Sequence, residues 1–111
     1  MADAADDPRA APFTYRTAMD HGTSAVVTVA GELDVVTSPR LEAALLELVE
    51  GGIRRLVLDV RGLTFVDSTG LRGLVMVMRA RDDMELVLRS VPERLGTLLS
   101  ITGLDAVFTL E

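Results

Sequence analysis

The stretch RLVLDVRGLTFVDSTGLRG, residues 55–73, decides the fold of this chain. Its first part, Arg55 to Val60, is short and nearly all apolar, which is typical of a central strand covered on at least one face. An acid, two hydroxyls and a glycine follow, and then a helical pattern that runs to about Arg81. The apolar positions of that pattern are Leu71, Leu74, Val75 and Met78. The stretch therefore predicts a buried strand that leads through a polar loop into a helix.

The residues before this stretch predict a hairpin. FTYRTAM at 13–19 and SAVVTVAG at 24–31 carry β-favouring residues in rough alternation, and a His21-Gly22 turn separates them. We expect two antiparallel strands here.

A helix is predicted between the hairpin and the central strand. Thr37 or Ser38 is the expected N-cap, Pro39 fits the first turn, and Gly51-Gly52 supply a stop with positive φ. The apolar residues between them follow the spacing of one helical face. They are Leu41, Ala44, Leu45, Leu48 and Val49.

The C-terminal third repeats the alternation of strand and helix. MELVLRS at 84–90 alternates as a strand, a helix is expected between Pro92 and Gly103, and Ala106 to Leu110 closes as a strand. The predicted order is β-β-α-β-α-β-α-β. Alternating strands and helices pair in parallel, and the hairpin adds an antiparallel piece. We therefore predict an α/β fold, with a single-domain mixed sheet of about five strands and helices packed against it.

Composition limits the functional classes. A chain of 111 residues fits one domain, which we place at 13–111, after a flexible tail at 1–12. No apolar run approaches the length that crosses a bilayer, and the N-terminus has no secretion signal, so a cytoplasmic protein is expected.

There is no cysteine, and all eleven basic residues are arginine, which excludes thiolate zinc sites, P-loops and Schiff-base lysines. The net charge of −6 argues against nucleic acid and membrane as partners.

Ser68 lies where the central strand gives way to the second helix, and three roles are open to it. A nucleophile needs a base, but the one histidine, His21, lies in a distant turn, and Val66 replaces the first glycine of the usual elbow motif. Asp67 or Ser68 fits a helix cap. A phosphate acceptor also fits, because the N-terminus of a helix tolerates added negative charge.

Two further features bear on this loop. Gly70 and Gly73 are unfavourable in a helix, and together beside exposed hydroxyls they favour a docking surface over simple packing.

Four carboxylates fall at predicted strand ends, where such groups are usually solvated or cap a helix, and no histidine accompanies them. We therefore expect no metal, no cofactor and no enzyme activity from Glu32, Asp34, Asp59 and Asp67.

Two segments together resemble one family. GELD at 31–34 and LTFVDSTGL at 63–71 are similar to the motifs of bacterial anti-sigma-factor antagonists, which are stand-alone STAS domains. The resemblance implies an unphosphorylated form that binds an anti-sigma factor, itself a serine kinase, and thereby frees a sigma factor for transcription. Phosphorylation by that kinase ends the binding, and a phosphatase restores it.

The resemblance also implies roles for individual residues. Ser68 is the expected phosphate acceptor, and Thr69 stands where many members have a second serine. The expected partner-binding residues are Asp34, Asp67, Thr69, Gly70 and Leu71. A different function stays open, in which the same domain is a regulatory subunit of a transporter or sensory complex and responds to a nucleotide.

Overall fold

Five strands lie side by side in chain order and form one mixed sheet. The computed structural model describes residues 13–111, so the tail predicted at 1–12 lies outside the described residues. The strands are β1 Thr14–Met19, β2 Ser24–Leu33, β3 Arg55–Val66, β4 Glu85–Arg89 and β5 Thr109–Leu110. The helices are α1 Ser38–Glu50, α2 Ser68–Met78 and α3 Glu93–Thr102, and a short 3-10 helix spans Leu104–Ala106.

The pairing of the strands confirms the predicted mixed sheet. β1 and β2 form an antiparallel hairpin, while β2 with β3, β3 with β4, and β4 with β5 pair in parallel. β3 is central, as its apolar sequence predicts. The order β-β-α-β-α-β-α-β is also confirmed.

The helices pack on one face of the sheet. Alternate residues of the three inner strands form one core with the buried side chains of all three helices. The strand residues in this core are Ala25, Val27, Val29, Leu56, Leu58, Val60, Leu86 and Leu88. The opposite face carries ion pairs, with Arg55 Nε 3.1 Å from Glu85 Oε1 and Arg89 Nε 2.8 Å from Glu111 Oε1. Burial on one face holds the scaffold together, and the strand ends stay free to carry function.

Three element boundaries differ from the sequence prediction. β3 continues to Val66 because β2 keeps pairing with it after two register shifts, between Thr28 and Ala30 and between Gly31 and Glu32. Gly31 takes a φ of 102° beside these shifts, a value that favours glycine. The second helix ends at Met78 rather than near Arg81.

The last strand is shorter than predicted. Only Thr109–Leu110 pair with β4, whereas Ala106 belongs to the 3-10 helix. Gly103 ends α3 with a φ of 76°, as expected, and the chain then turns tightly before it rejoins the sheet. Within residues 13–111, no helix is both long and apolar enough to span a membrane.

Candidate functional site

Two neighbouring loops meet where β2 and β3 end together. Leu33 is the register partner of Val66, and the backbone N–H of Asp67 donates to the Leu33 carbonyl at 3.2 Å. The Ser38 hydroxyl donates to the Thr69 carbonyl at 3.3 Å. The loop that follows β2 therefore lies beside the loop that follows β3.

Asp67 caps α2. Its backbone is extended, with φ −107° and ψ −176°, and its Oδ1 accepts a hydrogen bond from the Gly70 N–H at 3.0 Å. This bond satisfies one of the amide donors that a helix leaves unpaired in its first turn. Of the two residues that the sequence offered as the cap, Asp67 fills the role and Ser68 does not.

Ser68 is the first residue of α2, and it is exposed. Its hydroxyl makes no hydrogen bond to another residue within 13–111. The next hydroxyl residue, Thr69, is half-buried, and its carbonyl is taken by Ser38. Of the two hydroxyl residues, Ser68 is the more exposed.

Asp34 builds the loop after β2. Its Oδ1 accepts from the N–H groups of Val36, at 2.9 Å, and Thr37, at 3.0 Å. The Thr37 backbone bond is the main reason that the pKa of Asp34 lies below its ordinary value, and partial burial opposes it. Asp34 is therefore an ionised carboxylate that fixes the shape of this loop.

The two hydroxyls expected to cap α1 act elsewhere. Thr37 stands at the N-cap but makes no side-chain bond to the helix, and its hydroxyl donates to the Glu32 carbonyl at 2.7 Å. Ser38 reaches across to α2. The predicted N-cap position is confirmed at Thr37, and Pro39 lies in the first turn as expected, but the side-chain capping bond is absent because these hydroxyls tie the site loops together.

The loop that Asp34 shapes presents two apolar side chains to solvent. Val35 is 65% exposed and Val36 is 70% exposed. Neither valine was predicted as a site residue, although two adjacent valines that fit neither a strand alternation nor a helical stripe were a usable signal. Exposed apolar side chains beside a functional loop are typical of a binding surface.

Gly70, Gly73 and Leu71 have an internal role. A Cβ on Gly70 would lie 2.9 Å from Leu33 Cγ and 3.0 Å from the Leu33 carbonyl oxygen, and one on Gly73 would lie 2.8 Å from Ser38 Oγ. Leu71 is buried in the core. The interpretation of the two glycines as an exposed docking surface is therefore wrong, because both let α2 pack against neighbouring elements.

The other chemistries considered from the sequence do not assemble at this site. His21 lies in the β1–β2 turn, and the ten residues of β2, at ~3.3 Å each, separate it from the end of the sheet that carries Ser68. Asp59 Oδ1 accepts from the Arg61 N–H at 3.1 Å, so this carboxylate has a local partner, like Asp34 and Asp67. Across residues 13–111, no three His, Cys, Asp or Glu side chains are grouped to hold a metal.

Comparison with known proteins identifies the family. The family model described as the STAS domain matches residues 15–111. The chain belongs to the STAS family. An anti-sigma-B factor antagonist of Staphylococcus aureus is 40% identical over 80 residues, which cover 70% of this chain and 74% of that protein.

Solved structures share the fold of this STAS domain. An anti-sigma factor antagonist from Mycobacterium paratuberculosis superposes with a TM-score of 0.75 at 30% identity, covering 87% of this chain and 85% of that one. The anti-sigma factor antagonist SpoIIAA in its unphosphorylated form gives 0.77 at 17% identity, covering 88% of each chain. SpoIIAA of Bacillus in its phosphorylated form gives 0.71 at 18%, covering 88% of this chain and 91% of that one.

The outer face of α2 completes the surface around Ser68 in this STAS domain. Arg72 and Met76 follow Ser68 at intervals of four residues, and both are exposed, Met76 to 50%. An open groove of about 360 Å³ lies between the end of β3 and the start of α3, where Leu63, Phe65 and Leu95 help to line it. The exposed serine thus shares this surface with the apolar Met76 and the cationic Arg72.

Proposed function

We propose that this STAS domain is an anti-sigma-factor antagonist switched by phosphorylation of Ser68. In the cytoplasm, its unphosphorylated form binds an anti-sigma factor that is also a serine kinase, and a sigma factor is released for transcription. Phosphorylation ends that binding, and a phosphatase acting on phosphorylated Ser68 restores it.

The observation that carries the proposal is that Asp67 and Ser68 have different structural roles. Asp67 caps α2, while the Ser68 hydroxyl is exposed and bonds to no residue within 13–111. A phosphate on Ser68 therefore displaces no hydrogen bond of the fold. SpoIIAA has been solved in a phosphorylated and an unphosphorylated form, which fits a fold that accepts both.

The modification is a phosphoryl transfer from ATP. The Ser68 Oγ attacks the γ-phosphorus, an Oγ–P bond forms, the bond from the γ-phosphorus to the bridging oxygen breaks, and ADP leaves. The hydroxyl proton passes to a base, which the kinase must supply, because His21 is at the far end of the sheet. The phosphatase returns the hydroxyl by hydrolysis and releases inorganic phosphate.

A phosphate at this position is well placed to end binding. It adds a charge of about −1.5 to −2 at pH 7. Val35, Val36 and Met76 give the surrounding surface an apolar character, so a partner that covers them would also desolvate the phosphate. We expect a loss of about 3–5 kcal/mol, or roughly 10²–10⁴ in affinity.

Phosphotransfer to the purified protein tests the proposal. The chain is incubated with candidate anti-sigma kinases from its own host and labelled ATP, and the modified peptide is located by mass spectrometry. We expect one phosphate, which is lost in Ser68→Ala and kept in Thr69→Ala. Transfer to Thr69 alone would refute the assignment of Ser68. Binding to a transporter or sensory complex, with no transfer from any kinase, would favour the alternative function.

A further inference from the structure

We propose that Arg72 binds the phosphate of phosphorylated Ser68 within the same chain. The proposal rests on the proposed function in one respect, namely that Ser68 is the residue that carries the phosphate. It assigns to Arg72 a positioning role that the family motif in this sequence does not include.

The geometry of α2 brings the two side chains together. Ser68 and Arg72 are four residues apart in the same helix, and both are exposed. Residues at this spacing are neighbours, with Cβ atoms about 5–6 Å apart. Side chains on a helix lean toward its N-terminus, so a side chain as long as that of Arg72 has the reach to meet a phosphate on Ser68. An acidic group four residues before a basic one is also the favourable order of such a pair.

The charges around Ser68 call for a cation. Asp67 adjoins Ser68 in the chain, Asp34 lies on the neighbouring loop, and Glu42 of α1 approaches α2 at Gly73. A phosphate added among these carboxylates is repelled by each of them. Arg72 lies at the same end of the helix and supplies the opposite charge.

Arg72 itself lacks a counter-charge in the unmodified protein. No carboxylate within residues 13–111 comes within ion-pair distance of its guanidinium. The first turn of α2 contains no acidic residue, and the carboxylate at its N-cap, Asp67, bonds to the Gly70 N–H rather than to Arg72. A phosphate on Ser68 supplies the close counter-charge that Arg72 lacks. Phosphorylation thereby adds an anion at Ser68, and it also pairs the exposed guanidinium of Arg72, which is then no longer free to bind a partner.

A phosphorus NMR titration tests this pairing directly. Phosphoserine is inserted at position 68 during translation, so that no kinase or anti-sigma factor is needed. The second pKa of the phosphate is then measured in the otherwise unchanged protein, in Arg72→Gln and in Arg79→Gln, a control on the exposed end of the same helix. Thermal midpoints confirm that each variant is folded.

We expect Arg72→Gln to raise the second pKa of the phosphate by about half a unit or more, because a nearby cation favours the dianion. Arg79→Gln should leave it within about 0.1 unit, since the helix rise of about 1.5 Å per residue places Arg79 more than a Debye length away. The effect of Arg72→Gln should shrink in 1 M salt.

Equal phosphate pKa values in Arg72→Gln and Arg79→Gln would overturn the proposal, whether or not both differ from the parent protein. Failure of the proposed function has a different signature. In that case no kinase modifies Ser68, or the inserted phosphate leaves partner binding unchanged, and neither result alters the titration.

Discussion

Asp67 and Ser68 are adjacent, but only Asp67 has a structural role at the start of α2. Asp67 holds the start of α2 through its bond to the Gly70 N–H, whereas the Ser68 side chain is exposed and makes no bond to another residue within 13–111. The helix cap and the proposed site of modification therefore lie on separate side chains. A reaction at Ser68 can leave the helix start intact.

This separation predicts unequal effects of two alanine substitutions on stability. Asp67→Ala should lower the free energy of unfolding by about 1 kcal/mol, because it leaves an amide of the first turn without a partner. Ser68→Ala should change it by less than about 0.5 kcal/mol, as is usual for an exposed side chain without contacts. Urea denaturation of both variants measures this. An equal loss in Ser68→Ala would mean that its hydroxyl shares in capping.

Asp34 predicts a pH dependence of stability. Its pKa is lowered in the folded protein, chiefly by the backbone N–H of Thr37, so the ionised form favours folding. That contribution is fully present above the pKa of the unfolded chain, about 3.9, and is lost as the pH falls through the lower folded value. The stability lost in Asp34→Asn should therefore be largest from pH 5 to 7 and should shrink toward pH 3. A difference that grows with acidification would contradict this role.

At the scale of elements, α2 is positioned by close contacts of its glycines. Gly70 packs against Leu33 at the end of β2, and Gly73 packs against Ser38 in α1. Each contact fixes the helix start relative to the loop that carries Val35 and Val36. The start of α2 and the loop that carries Val35 and Val36 are thus held in a fixed relation by close internal contacts.

The two glycines predict unequal effects of alanine. Gly70→Ala should destabilise the protein by about 1–3 kcal/mol, since the new Cβ meets the Leu33 carbonyl oxygen and side chain at about 3 Å. Gly73→Ala meets only side-chain atoms of Ser38 and Glu42, and a higher helix propensity of about 1 kcal/mol offsets the adjustment. Thermal unfolding compares the two. A larger loss in Gly73→Ala would contradict the packing described here.

The elements that depend on a hydrophobic pattern could be predicted from the sequence. α1 ends at Glu50, as its apolar stripe and Gly51-Gly52 indicate. The length of β5 was predicted too long. The chain first turns through residues 104–106 after Gly103, and only Thr109–Leu110 reach β4, which the local pattern does not show. Nor does the local pattern show the end of β3, whose last six residues pair only because β2 continues beside them.

Prediction of the site was limited by side-chain contacts between distant segments. Asp67 and Ser68 were found, because capping and exposure at the start of a helix follow from local sequence. The bond from Ser38 to the Thr69 carbonyl and the contact of Gly70 with Leu33 join residues about thirty positions apart. Local patterns carry no information about such pairs, so Gly70 and Leu71 were assigned to the surface although they are buried.

At the scale of the whole molecule, the core and the proposed docking surface are separate. Helices and sheet bury one continuous apolar core, while Val35, Val36 and Met76 remain exposed at or near the end of the sheet that carries Ser68. Such a surface can be altered without loss of the fold.

The double variant Val35→Ser, Val36→Ser should weaken binding to the cognate anti-sigma factor by about tenfold or more, because it removes apolar contact area. Its thermal midpoint should be unchanged, since both side chains are exposed in the free protein. Ile101→Ser is the matched control, because Ile101 is equally exposed but lies in the last turn of α3. Calorimetry compares the three proteins. Unchanged affinity in the double variant would exclude this loop from the interface.

The most direct test of the switch compares the protein bearing phosphoserine at position 68 with the unmodified protein, using affinity for the cognate anti-sigma factor and the thermal midpoint. We expect the affinity of the phosphorylated form to be lower by a factor of about 10²–10⁴, while the thermal midpoint moves by no more than a few degrees. Equal affinity of the two forms, or a phosphorylated form that is unfolded, would contradict the proposed switch.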